Sequence, residues 1–308
     1  MRRPRLTIGL PVYNGEAYLE ETLESLLAQD FEDFELVVSD NASTDATTGI
    51  VASFATRDPR VRLVRNPRNL GAAQNYNLLV RDSRTELFKW AGYDDLHEPG
   101  HLSACVAALD ANPAAVLAFP QATIIDGSGR RVREYEEKLR VVAATPWARV
   151  ASFAWRFNLC NACFGVMRRD VMATTGLIRP YISSDVTFLA EMAARGTFEL
   201  VPEPLFLRRI HEASSRQGRS TSADVARWFD PAGRGAPAFV RLRLLGHTAG
   251  ALATGTAPLP ARLLAAVGFA TSYTARRLRI AGGQLRDRAR GGAPAPAELI
   301  HEVDGDLS

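Results

Sequence analysis

Residues 89–99 read KWAGYDDLHEP, an apolar run and a glycine followed by two adjacent aspartates, Asp94 and Asp95. Paired carboxylates repel each other and lose hydration on burial, so they must be matched by positive charge or left in water. They mark either a solvated turn or a place where a cation sits between the protein and an anionic ligand. A second chemistry-bearing pattern, Cys160-Asn161-Ala162-Cys163, has CxxC spacing. It lacks a second pair for zinc and a thioredoxin-like context, so two packed thiols are expected there. With Cys105 the chain has three cysteines, which argues against a disulfide framework and for a reducing compartment.

The elements that must position the aspartates are legible as alternating patterns. Apolar runs at 6–12 (LTIGLPV), 34–40 (FELVVSD), 61–66 (VRLVRN) and 85–92 (TELFKWAG) read as buried strands. Between them, Leu19, Leu23, Leu26 and Leu27 recur at helical spacing. A second helix opens near Ser43 or Thr44 and runs to about Thr56, and GAAQNYNLLVRD reads as a third. Four strands alternating with three helices predict a doubly wound α/β sheet, whose ligands bind beyond the carboxyl ends of its strands. Those ends carry Tyr13 and Asn14, Asp40 and Asn41, Asn66 to Asn69, and Tyr93 to Asp95, so polar groups from four strands converge on one rim. Further on, helices are expected at 99–111, 147–157 and 185–196, and strands at 116–122, 162–169, 198–201 and 204–211. RRVREYEEKLR reads as a solvated charged stretch.

PVYNGEAYL, SDNASTD, NLGAAQN, YDDLHEP, SSDVTFLAEMAARG and LRRIHEASS follow one another over roughly residues 5–216. In these motifs, their order and their spacing the chain resembles the family-2 inverting glycosyltransferases of GT-A fold. The resemblance implies a GT-A-type α/β fold, a doubly wound mixed sheet flanked by helices, with a helical C-terminal extension. It implies a catalytic domain over 1–216, split into a nucleotide-sugar half (about 1–98) and an acceptor half (about 99–216). The implied reaction moves a hexosyl or deoxyhexosyl group from a UDP- or dTDP-type sugar to a hydroxyl of a saccharide, lipid-linked or small-molecule acceptor. Cell-surface polysaccharide, glycolipid and natural-product glycosylation all fit.

The same resemblance assigns residues. Asp95 would ligate Mn²⁺ or Mg²⁺, hard ions suited to oxygen ligands and to a diphosphate leaving group, and Asp94 would reach the donor ribose or sugar. Tyr93 departs from the acid often found in its place. Asp40 matches the position that reads the nucleobase, Pro11, Tyr13 and Glu16 line the same pocket, and Asn69, Gly71 and Asn75 line the donor site. Local roles compete: turn packing for Pro11 and Tyr13, a helix-dipole carboxylate for Glu16, a tight turn for Gly71, and a helix start for Asp45. Asp185 would be the general base that takes the acceptor proton, with Ser184 where relatives carry Glu; a helix-start role competes here too. His211 would approach the metal or diphosphate, and Arg208 and Arg209 could bind phosphate. His97 and His101 match nothing in the family pattern.

The bulk numbers fit a soluble globular protein of 308 residues, 46% hydrophobic and 23% charged. The N-terminus runs straight into a strand pattern and does not read as a signal peptide. From Pro231 to Arg290 there are ten arginines against one aspartate. Residues 217–308 read as a linker plus a basic amphipathic helical extension. A flexible link is expected at about 214–235, and a frayed, disordered end from Gly282-Gly283 on. In the helix at 259–281, Leu263, Leu264, Val267, Ala270 and Leu278 share a face, so it either packs on the catalytic domain or lies on an anionic membrane surface. No stretch is apolar enough to span a bilayer, and no nucleic-acid motif is present. The expected location is cytoplasmic, with peripheral contact at the inner face of a membrane as an option. The rivals are a nucleotidyltransferase, which would call for a Gly-rich phosphate loop where PVYNGE stands, and a catalytically silent binding subunit of the same fold.

Overall fold

The leucine- and valine-rich runs pair as strands because their side chains are enclosed on both faces; all seven residues of β1 (Leu6–Val12) are buried. In the computed structural model, which describes residues 3–211, 222–229, 239–254 and 257–289, β1 is followed by α1 (Leu19–Leu27), β2 (Phe34–Asp40), α2 (Thr47–Arg57), β3 (Val61–Arg65), α3 (Ala72–Asp82) and β4 (Leu87–Trp90). The second half contributes β5 (Leu96–His97), α4 (His101–Ala111), β6 (Ala115–Ile125), β7 (Arg131–Tyr135), α5 (Pro146–Arg156) and a 3-10 turn (Asn161–Phe164). Then come β8 (Val166–Arg168), α6 (Arg169–Met172), α7 (Ser184–Arg195), β9 (Thr197–Arg209), α8 (Ser222–Phe229), α9 (Val240–Ala253) and α10 (Leu259–Ala289).

Among the described residues these strands form one mixed sheet in the order β3-β2-β1-β4-β8-β6-β9-β5, with β7 on β6. The first four strands are parallel, and Val12 lies opposite Asp40, which lies opposite Arg65. That register brings the carboxyl ends of β1, β2 and β3 level, so the loops that follow open onto one rim. β8 turns antiparallel beside β4, and β6 beside β8, which joins the parallel strands and the later ones into one mixed sheet. One face of the sheet is covered by Leu19, Leu23, Val51, Phe54, Leu102 and Val106 from α1, α2 and α4. The other is covered by Leu79, Phe153, Phe188, Leu189, Leu244 and Phe269 from α3, α5, α7, α9 and α10. Trp90 and Phe88, almost fully buried, sit in this second layer. Each such aromatic contributes about 1.5–3 kcal/mol through burial.

Five expectations are revised. The charged stretch RRVREYEEKLR contains strand β7, whose first four residues are exposed while Tyr135, Glu137 and Leu139 turn inward. β9 is one long strand where two were expected; it runs through Pro202 and Pro204, the ladder to β6 shifting register between Pro120 and Ala122. α10 continues past Gly282 and Gly283, and α8 lies inside the stretch expected to be a flexible link. The rest of that link, and the disordered end expected beyond residue 289, lie outside the described residues. α10 also packs on α5, but not through its leucines: Ala265, Phe269, Tyr273 and Arg276 face inward.

Candidate active site

Two loops build the rim above β1 and β2, and they are zipped together by hydrogen bonds. Asn14 and Ala42 adopt left-handed backbone at the two strand ends, turning the chain outward. The Asn14 N–H donates to Ser43 Oγ (2.9 Å), and its side-chain oxygen accepts from the Thr44 N–H (2.9 Å). Glu16 accepts from the Ala46 N–H at 2.8 Å, while Asp45 accepts from the Glu16 N–H at 3.1 Å. Glu16 and Asp45 thus close the two loops on each other. Pro11 is buried at the end of β1, and Tyr13 beyond it is 39% exposed.

Asp40 forms the floor. Its carboxylate is fully buried and accepts from the Ser43 N–H (2.9 Å) and the Thr48 hydroxyl (2.7 Å), with Arg65 Nε 3.6 Å away. Beside it runs an asparagine chain. Asn75 Oδ1 accepts from Asn66 Nδ2 (2.9 Å), and Asn66 Nδ2 also donates to Asn41 Oδ1 (3.1 Å). Asn41 Nδ2 donates to Asn69 Oδ1 (2.8 Å), which also accepts from the Gly71 N–H. Gly71 has φ +82°, a conformation open to glycine, and so turns the chain into α3. Asn69, Gly71 and Asn75 therefore meet beside Asp40. Asn41 and Asn66, which their positions at strand ends place on the rim but to which the family resemblance gives no role, belong to the same network.

Asp94 and Asp95 follow β4. Asp95 is 5% exposed, and its Oδ1 accepts from the Arg209 N–H at 2.9 Å. Burial and the neighbouring Asp94 push its carboxyl up to about 7, against the opposing pull of Arg208 and the Arg209 N–H. Asp94 Oδ2 lies 3.0 Å from His211 Nε2. His211 therefore meets Asp94, not Asp95, and its ring lies against Tyr18 at 4.6 Å. A Cβ on Gly92 would lie 2.8 Å from Asp95 Oδ2 and 3.0 Å from Asp94 Oδ1. The two carboxylates thus converge on the space that only a glycine leaves open. Hard oxygens from two carboxylates with an imidazole beside Asp94 suit Mn²⁺ or Mg²⁺. Among the described residues no group of three or more His, Cys, Asp or Glu is arranged to enclose a metal. An ion held here would take its remaining ligands from phosphate and water.

The two arginines differ. The Arg209 side chain is fully buried; Nε donates to the Asp94 carbonyl (2.8 Å), Nη1 to the Gly127 carbonyl (3.1 Å) and Nη2 to Glu21 (2.7 Å). Its guanidinium also lies 4.6 Å above the Tyr18 ring. With those donors committed and the group out of solvent, Arg209 clamps the aspartate loop to α1 and to the β6–β7 turn, and the expected phosphate contact has no face to form on. Arg208, partly exposed, donates to the Leu159 carbonyl (2.9 Å) and Asn161 Oδ1 (2.6 Å). Beneath the aspartates Lys89 is completely buried, its ammonium donating to the Phe164 carbonyl and lowered to about 7 by burial. It shares this pocket with His97, His101 and Phe206. A lysine inside the apolar run LFKW was the sequence signal for it.

Asp185 lies in the first turn of α7, half-buried, after Ser183 takes a left-handed φ of 64°. The segment leading to it is pinned from both sides. Asn77 on α3 exchanges two hydrogen bonds with the Ile178 backbone (2.7 and 3.0 Å). Arg179 grips the buried Glu191 of α7 in a bidentate pair (2.8 and 3.0 Å). Ser184 is buried, and its hydroxyl has no hydrogen-bond partner among the described residues.

A model of "Glycosyl transferase family 2" matches residues 7–173. An uncharacterized glycosyltransferase of Rickettsia typhi is 32% identical over 99 residues, 32% of this chain and 30% of its own length. One of Haemophilus influenzae is 23% identical over 214 residues, 68% of this chain and 66% of that protein. The chain spans 14%, 30% and 38% of the first three curated relatives it matches. Among solved structures, S. aureus TarS 1-349 in complex with UDP-GlcNAc superposes with a TM-score of 0.65 at 17% identity, covering 98% of this chain and 80% of that one. The mannosyltransferase PcManGT from Pyrobaculum calidifontis, in complex with GDP-Man and Mn²⁺, gives 0.52 at 20% identity, covering 100% and 82%. The fold is that of these GT-A enzymes, and with the family match extending over more than half of its length, the chain belongs to glycosyl transferase family 2.

Proposed function

We propose that the protein transfers a sugar from a nucleotide-diphosphate sugar to an acceptor hydroxyl, with inversion at the anomeric carbon. The observation that carries this is the convergence of the Asp94 and Asp95 carboxylates at the Gly92 gap, on the rim where the β1, β2 and β3 loops meet, in a family-2 chain. The nucleoside would lie over the asparagine network between the β1, β2 and β3 ends. Asp40 would read the base imide by exchanging one of its two loop hydrogen bonds for it. Pro11, Tyr13 and Glu16 would wall that pocket, and Asn69, Gly71 and Asn75 would shape the donor side. Asp94 and Asp95, with His211 alongside, would hold Mn²⁺ or Mg²⁺, whose charge offsets that of a departing nucleoside diphosphate. Arg208 would supply a further positive charge to the phosphates. Asp185 would take the proton of the attacking hydroxyl.

TarS was solved with UDP-GlcNAc and PcManGT with GDP-Man and Mn²⁺, which supports a nucleotide-sugar donor and a divalent ion here. UDP- and dTDP-hexoses or deoxyhexoses are the proposed donors, and a saccharide, lipid-linked or small hydroxyl compound the acceptor. The test is a nucleotide-sugar panel read by thermal shift and by nucleotide release, with Mn²⁺ or with EDTA. One donor class should raise Tm and be hydrolysed only with the ion. Equal turnover in EDTA would remove the metal, and the lack of any stabilising nucleotide sugar would sink the whole reading.

A further inference from the structure

A surface helix ordinarily buries its apolar stripe and shows charge to water. Over its first twenty residues α10 buries one apolar stripe and shows a second to water. Ala265, Phe269, Tyr273 and Arg276 are buried, whereas Leu259, Leu263, Leu264, Val267 and Leu278 are 50–70% exposed. At about 100° per residue, Leu263, Val267 and Leu278 fall within about 60° of arc, opposite the buried stripe. Thr271 and Thr274 fill the same side and Arg277 borders it, while the exposed Arg279 lies further round, 4.7 Å over the Trp155 ring of α5. On α9, which packs against α10, Leu242 is 66% exposed beside the exposed Arg243, and Phe239 ahead of it is 77% exposed. From Phe239 to Arg286 the chain has seven arginines and no aspartate or glutamate.

We propose that the outward face of α10, with the adjoining start of α9, docks on an anionic lipid surface, its helix axis in the plane of the headgroups. The leucines and Val267 would enter the acyl boundary while Arg243 reaches lipid phosphates. The charge selects this occupant: a second copy of the chain would bring arginines together with no aspartate or glutamate between Phe239 and Arg286 to meet them, and the arginine excess matches a negative headgroup layer. The contact lies on the surface, since among the described residues no helix is long and apolar enough to cross a membrane. This surface stands on its own exposure and charge and does not depend on the sugar-transfer reading.

The test is co-sedimentation of the full chain with phosphatidylglycerol–phosphatidylcholine vesicles and with phosphatidylcholine alone, at low and high salt. The expected result is binding to the anionic vesicles, at least about tenfold weaker binding to neutral ones, and loss with salt. Leu263→Glu and Val267→Glu should each weaken it about tenfold while leaving Tm in place, because both side chains are already in water. If either variant unfolds the chain, Arg243→Glu carries the same expectation through charge alone. Full binding by these variants, no sedimentation with anionic vesicles at low salt, or a dimer in light scattering that Leu263→Glu dissolves would each overturn the proposal.

Discussion

Asp95 and Asp185 occupy different surroundings. Asp95 is enclosed, tied to the Arg209 N–H and pressed against Asp94. Asp185 sits half-buried in the first turn of α7, at the end of the segment held by Asn77 and Arg179. Asp185→Asn should fold, bind donor as the native chain does, and lose about 10²- to 10⁴-fold in kcat, read by steady-state transfer with parallel donor titration. A variant that keeps its turnover would remove Asp185 as the base. Glu137 offers a separate residue-scale test, because burial pushes its carboxyl up to about 7. Between its ordinary value and about 7 the folded chain holds a proton that the unfolded chain has released, so stability falls as pH rises through that window. Glu137→Gln keeps an acceptor for the Leu139 N–H and should stabilise the protein at pH 8, on the order of 3 kcal/mol, with little effect near pH 4.5. Urea melts at the two pH values measure it; equal shifts at both would refute the assignment.

At the scale of elements, the site is held by ties between segments far apart in sequence. Arg209 at the end of β9 joins the loop after β4 to α1 and to the β6–β7 turn. Arg209→Met keeps the length of the side chain but leaves the Glu21 carboxylate and two carbonyls without their donor. It should cost about 2–4 kcal/mol and loosen the Asp94–Asp95 loop, read as a drop in Tm together with weaker donor binding. A change in donor affinity with Tm intact would instead point to direct phosphate contact. The Arg179–Glu191 pair and the Asn77–Ile178 exchange do the equivalent for the segment before Asp185. Asn77→Leu should lower kcat more than it alters donor KM, because it frees the approach to the base and leaves the nucleotide loops untouched. An unchanged kcat would show that the segment is held without this tie.

Across the whole molecule, the C-terminal helices are part of the core. Phe269 is fully buried, Tyr273 stacks on it at 5.6 Å, and Arg276 covers Phe157 at 4.5 Å. Phe269→Ala should therefore destabilise the entire chain by about 3–5 kcal/mol, in one cooperative transition. A separate low-temperature melt of α10 alone would contradict this.

The alternation of β1 to β4 with α1 to α3 was written in local sequence, because burial on both faces requires continuous apolar runs and helices require their own period. So were Asp94 and Asp95 at a strand end, the motifs that mark the family, and the basic amphipathic character of residues 259–281. Tertiary structure alone decided that Arg209 is a buried clamp while its neighbour Arg208 stays partly open, since adjacent residues of a strand point to opposite faces and only the assembled sheet says which is enclosed. It likewise decided that His211 meets Asp94, that Lys89 is sealed beneath the aspartates, and that α10 turns its aromatics inward and its leucines outward. Those outcomes depend on which surfaces meet across 47 to 188 residues of chain, and a local pattern of apolar and charged residues is compatible with either arrangement.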